Sequence, residues 1–130
     1  MTLREFKRRF PTTQRCFGLL RRYHYGGKRP WCPVCGASRP WVYTRPSGCR
    51  VYTCRQCRQK WSDLTDTIFE HSRTPLTKWF QAVYLVENTP NITVRELKQR
   101  LKVTYKTAWR MRHLIRHRMN PRLKRMILGS

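Results

Sequence analysis

Carboxylates are scarce in this chain: Asp and Glu total 6 against 29 Lys and Arg in 130 residues. They are Glu5, Asp63, Asp66, Glu70, Glu87 and Glu96, scattered too widely to gather the carboxylate cluster that metal-assisted phosphoryl chemistry requires. No glycine-rich phosphate loop occurs, and no Ser has a His and an acid at a recognisable triad spacing. The chain therefore reads as a non-enzyme. Long apolar runs are missing as well. The longest, Trp79 to Val86, is broken by Gln81 and is much shorter than the ~20 residues that cross a bilayer, so no membrane partner is expected. A secretory leader is absent too, which points to a cytoplasmic, bacterial and nucleoid-associated setting with reduced thiols. Apolar residues make up 39% of the chain, enough for one or two small domains without a large core.

Positive charge is what the chain has in excess. The net charge is +23, divided as +8 over residues 1–30, +4 over 31–66 and +11 over 67–130. No detachable basic tail accounts for it, so the folded surface itself is basic. Nucleic acid leads the partners that such a surface suits.

Two cysteine pairs anchor the middle of the chain: Cys32-Pro33-Val34-Cys35 and, after eighteen residues, Cys54-Arg55-Gln56-Cys57. Each is a tight turn with two thiols, and the gap suits a β-hairpin that brings the turns face to face. Four soft sulfurs then surround one site, the closed tetrahedral environment of a structural zinc ribbon, with one Zn²⁺ per chain and no open position for a catalytic water. Two disulfides, or free core thiols, are the alternatives. The first is disfavoured because adjacent thiols in such a turn make poor structural disulfides.

Before the knuckles, Leu3, Phe6 and Phe10 recur at helical spacing until Pro11. Thr12 or Thr13 then caps a second helix with Cys16, Leu19, Leu20 and Tyr23 on one face, ended by Gly26-Gly27. Cys16 and His24 read as packing residues rather than ligands. Between the knuckles, Trp41 to Thr44 and Cys49 to Thr53 alternate as strands around Pro46-Ser47-Gly48, and Lys60 to Asp63 adds a third. Trp41, Tyr43, Tyr52 and Trp61 are expected to cover this small sheet as core; stacking on bases is the alternative.

The last third reads as three helices. Thr74 caps the first, Pro75 is its first helical residue, and Leu76, Trp79, Phe80, Val83, Tyr84 and Val86 form its apolar face. A capping box, Thr93 to Glu96, opens a short second helix, Lys102-Val103 forms a tight turn, and Thr104 caps a third helix over Tyr105 to Met119. On that third helix Ala108, Met111, Ile115 and Met119 line one side. Lys106, Arg110, His113 and His117 line another. A short helix, a tight turn and a longer basic helix make a helix-turn-helix. A solvated face on an ordinary helical hairpin is the plainer alternative. The candidate nucleic-acid contacts are Tyr105, Lys106, Thr107, Arg110, Arg112, His113 and Arg116.

The expected fold is thus a small α+β protein. A zinc ribbon over 31–66 follows an N-terminal helical segment, 1–30, and precedes a helix-turn-helix domain, 67–120, and a basic and apolar tail, 121–130.

One family resembles this order of motifs: Glu5-Phe6, Arg9-Phe10-Pro11, Cys16, Leu20, the two knuckles, Thr67-Ile68-Phe69, Leu76, Lys78-Trp79-Phe80, Ala82, Leu97, Leu101 and the run Tyr105 to Met111. It is the bacterial insertion-sequence transposases that begin with a zinc ribbon and a helix-turn-helix and continue into an RNase-H-like DDE catalytic domain. The resemblance implies zinc on Cys32, Cys35, Cys54 and Cys57, and contact with transposon-end DNA around Lys106 and Arg110. Asp66 and Lys102 depart from it, each standing where the family commonly has Gly, and no catalytic domain is present.

Two functional classes follow. One is a non-catalytic, zinc-dependent binder of double-stranded DNA, with RNA as the second option and a homodimer as the simplest assembly. The other is an adaptor docked on a larger transposase or RNA-guided nuclease. Ribosomal RNA is a minor third partner. The homodimer would use Leu3, Phe6 and Phe10 or Leu123, Met126, Ile127 and Leu128; packing of these terminal segments back onto their own domain is the equal alternative.

Overall fold

Hydroxyl and amide caps set most of the helix boundaries in the computed structural model, which describes residues 2–129. Thr2 and Glu5 form a reciprocal capping box that opens α1, Leu3–Arg9. Thr12 accepts from the Arg15 amide to open α2, Thr13–Tyr25, and Gly26, at φ 59°, ends it. Thr93 and Thr104 do the same for α4, Val94–Leu101, and α5, Tyr105–His117, through the amides of Glu96 and Thr107. Only the Thr93 half of the expected capping box forms. A third helix, α3, covers Leu76–Asn88, with Pro75 at its N-cap in extended backbone and no side-chain cap. The start is one residue later than the Thr74 cap implies. Ser72 organises this entry instead, its Oγ accepting from the Thr74 amide and the Trp79 indole.

Between the helices lies an antiparallel sheet in the order β1 (Trp41–Thr44), β2 (Arg50–Thr53), β3 (Lys60–Ser62). Its register aligns Val42, Tyr52 and Trp61 on one face and Trp41, Thr53 and Lys60 on the other. The first face turns inward at Tyr52 and Trp61, while Val42 on the edge strand stays exposed. Tyr52 and Trp61 stack at 5.4 Å and close a small cluster with Cys32 and Cys54. The second face does not. Trp41 and Tyr43 were expected as core, yet they are 44% and 65% exposed, because β1 is an edge strand with no layer packed over its outer side.

A larger core joins helices from both ends of the chain. Phe6, Leu20, Trp79, Phe80, Leu97, Met111, Ile115, Leu123 and Ile127 are all fully buried within it. At its centre is α3, with eight buried residues, packed against each of the other five helices. Cys16 is buried there as expected. The segment 121–130, expected as a tail, is instead helical over Pro121–Leu128. This helix, α6, is capped by Asn120 and sinks Leu123 and Ile127 into the core. Phe6, Phe10, Leu123 and Ile127, named above as surfaces for a homodimer, are therefore consumed inside one chain. The N-terminal and C-terminal helical segments contribute side chains to a single buried cluster.

Asp63 joins the sheet to the helices. It is fully buried, and its Oδ2 accepts from Arg21 Nε and Nη2 in α2 and from the Arg50 amide. Its Oδ1 accepts from the Tyr52 hydroxyl at 2.8 Å. His24, read as structural, lies 3.0 Å from the Asp63 carbonyl through Nε2. The Trp61 indole donates to the Tyr25 hydroxyl at 2.8 Å, a second link between ribbon and α2. A buried carboxylate is tolerable only when it is paired and hydrogen-bonded, and here both oxygens are satisfied.

Candidate metal centre and nucleic-acid interface

The two knuckles have nearly the same backbone. In each, the amide after the second cysteine returns to the carbonyl of the first: Gly36 N to Cys32 O at 2.9 Å and Arg58 N to Cys54 O at 3.2 Å. Each turn is closed from outside by Cys32 N to Ala37 O and Cys54 N to Gln59 O, both 2.9 Å. Gly36 and Arg58 both have positive φ, 78° and 65°, so the second knuckle uses an arginine where glycine is the unstrained choice.

These turns aim four sulfurs at one point. Sγ of Cys32, Cys35, Cys54 and Cys57 lie within 4.8 Å of one another, with cross-knuckle approaches of 3.5 Å for Cys32 to Cys57 and Cys35 to Cys54. A tetrahedral ion with metal–sulfur bonds of about 2.3 Å needs sulfurs about 3.8 Å apart, so these spacings fit a four-sulfur metal site. All six cysteines are free, and no disulfide competes for these four. Amides prepare the site. Cys32 Sγ accepts from the Val34 and Cys35 amides, and Cys54 Sγ from Gln56 and Cys57, all at 3.4 Å.

Those amides favour the thiolate that a metal requires. The Cys57 amide, then that of Gln56, outweighs desolvation and lowers Cys54 to about 6. At Cys32, desolvation opposes the amides of Cys35 and Val34 and is outweighed, so its pKa is also lowered. Cys57 is raised to about 12: the Gln59 amide lowers it, but desolvation and the surrounding thiols prevail. Without a metal, Cys32 and Cys54 are drawn towards the thiolate and Cys57 towards the thiol. A bound cation removes that conflict by taking all four as thiolates.

Helices α4 and α5 meet through a turn at Lys102, which adopts the left-handed conformation at φ 56°. Lys78 Nζ reaches the Lys102 carbonyl at 3.4 Å. Ala108, Met111 and Ile115 face the core, leaving Tyr105, Lys106, Arg110 and His113 exposed and Thr107 half-buried. Arg112 and Arg116 are placed differently from the other candidates. Arg112 Nε donates to Ile92 O and Arg116 Nη2 to Pro90 O, both at 2.9 Å, so the two fasten the α3–α4 loop to α5.

Trp109 was not singled out as a contact residue. It is 52% exposed, and its ring lies parallel to His113 at 5.2 Å, with His113 in turn 4.9 Å from His117. The signal was available: positions 105, 109, 113 and 117 recur every fourth residue and form one aromatic row along the helix.

Among the described residues no helix is long and apolar enough to cross a membrane. No protein-family model matches the chain, and no solved structure matches it. The chain is similar to an uncharacterized protein in transposable element ISH50 of Halobacterium salinarum, 38% identical over 80 residues. The similarity covers 62% of this chain but 27% of that protein's length, and it links the four-cysteine, basic-helix chain described here to the proteins of transposable elements.

Proposed function

We propose that this chain is a non-catalytic, zinc-dependent DNA-binding module of transposase ancestry, with α4, the Lys102 turn and α5 as its helix-turn-helix. The observation that carries the reading is the division of α5. Its inner side locks into the core through Ala108, Met111 and Ile115, while Tyr105, Lys106, Trp109, Arg110 and His113 are exposed, with Asp66 and Glu70 sharing a surface depression with Arg110 alone among these five. A helix fixed from behind and basic in front suits the major groove, with Arg110 and Lys106 able to donate to base edges or phosphates. Zinc is the metal that four thiolates in a closed tetrahedral site favour; its role here is to supply folding free energy that the four-residue ribbon cluster cannot.

Duplex-DNA affinity measured against salt tests this. Each neutralised phosphate contributes a slope of roughly −0.9 in log K against log salt, so several contacts give a steep loss. Arg110→Ala is expected to relax sequence preference, at roughly 1–3 kcal/mol. A shallow salt slope with no change for Arg110→Ala would remove direct readout and leave the adaptor role on a larger nucleoprotein enzyme as the reading to pursue.

A further inference from the structure

The outer face of the sheet is a second aromatic and basic surface that the α5 reading leaves unused. Two cross-strand rows compose it: Trp41, Thr53 and Lys60, and Tyr43, Val51 and Ser62. Both rings stand on β1, beside a shallow depression of about 260 Å³ that Val51, Thr53 and Lys60 also line. Arg55 and Arg58 bring their guanidinium carbons to 5.4 and 4.8 Å from the centre of the Trp41 ring. Residues 31–62 contain Arg39, Arg45, Arg50, Arg55, Arg58 and Lys60, and neither Asp nor Glu. The occupant must therefore be a polyanion that also offers flat apolar faces. A duplex hides its base faces in the stack and shows only edges in its grooves, whereas a single strand presents both phosphates and ring faces.

We infer that this face binds single-stranded DNA, with unpaired bases stacking on Trp41 and Tyr43 and phosphates held by Arg55, Arg58 and Lys60. The choice of DNA over RNA rests on the reading of α5 given above. The stacking surface itself stands on the ribbon alone. A chain of this kind holds duplex on α5 and an unpaired strand on the sheet.

The test uses the full, metal-loaded protein and the fluorescence anisotropy of a labelled oligo-dT and a labelled duplex at one salt concentration. Trp41→Ala is expected to weaken oligo-dT binding roughly tenfold or more, and Tyr43→Ala to act in the same direction. Trp41→Phe retains a stacking face and restores most of the affinity. Duplex affinity stays within about twofold in all three, while Arg110→Ala shows the opposite pattern. Both residues are exposed on an edge strand, so metal content and far-UV signal remain at the parent value in each variant. Oligo-dT binding unchanged in both alanine variants, or Trp41→Phe as weak as Trp41→Ala, overturns the inference. Tighter binding of oligo-rU than oligo-dT overturns its DNA half. Trp41-dependent binding of oligo-dT without duplex binding supports this face and fails the α5 reading alone.

Discussion

Arg21 and Asp63, 42 positions apart, meet through two hydrogen bonds to one carboxylate oxygen, at 3.1 and 2.9 Å, with the acid wholly shut off from solvent. Removing one partner of a buried, hydrogen-bonded pair strands the other. Asp63→Ala is expected to cost about 3–5 kcal/mol in urea unfolding of the metal-loaded protein. Lys124→Ala, which breaks the half-exposed pair with Glu87, should cost about 0–1 kcal/mol. Equal effects of the two changes would remove Asp63 from its place as the joint between ribbon and helices.

Thiol reactivity separates the two kinds of cysteine. In the metal-loaded fold, the four knuckle sulfurs are engaged and Cys16 and Cys49 are buried, so alkylation is slow at all six. Chelation should speed alkylation at the knuckle thiols, with Cys54 faster than Cys57, and denaturant should release Cys16 and Cys49. Four fast thiols in the loaded protein would contradict the metal site.

Burial raises the Cys16 thiol from an ordinary 9.0 to about 12 in the fold. The neutral thiol is the form the core accepts, so this contribution to stability is fully present below pH 9 and is lost as pH rises from 9 towards 12. Cys16→Ala should flatten that alkaline decline when stability is followed by chemical denaturation. An identical decline in the variant would assign it to other groups.

Asp66 and Lys102, the two places where glycine was expected, both have positive φ, 61° and 56°. The backbone demand persists although the residue has changed. Lys102→Gly and Asp66→Gly relieve roughly 1–2 kcal/mol of left-handed strain and forfeit roughly 0.4–1 kcal/mol to the looser unfolded chain. Each should therefore be neutral or stabilising by up to about 1.6 kcal/mol, while Lys102→Val, β-branched at the same φ, destabilises. A higher melting temperature for the valine variant would contradict the conformation.

Arg110 and Arg112 are neighbours on α5 with different duties. Arg112→Ala loses the bond to Ile92 O and should cost about 1–3 kcal/mol of stability, with duplex affinity of the folded protein nearly unchanged. Arg110→Ala should leave the melting temperature near the parent value and weaken duplex binding. Reversed outcomes would exchange their roles.

The knuckles were legible in the sequence because their geometry is local: two residues between cysteines set each turn, and one hairpin brings the turns together. Helix ends were legible for the same reason, from Thr12, Thr93 and Thr104. Asp63 was not. It looked like one more stray acid, since its partners come from α2, β2 and its own loop and meet only once the sheet has docked. Strand alternation gave two faces to the ribbon without saying which would be covered, and so Trp41 was assigned with Tyr52. The α6 segment was missed because Leu123 and Ile127 mark a helical face only if a core is waiting for them, and that core is built by α2 and α3.

The central helix gives these separate surfaces a mechanical relation. Because α3 touches every other helix, and α2 holds the ribbon through Arg21, His24 and Tyr25, the helix that carries Arg110 and the sheet that carries Trp41 are joined through packed side chains. If both faces bind as proposed, the offset between a strand on Trp41 and a duplex on Arg110 would be set by this packing.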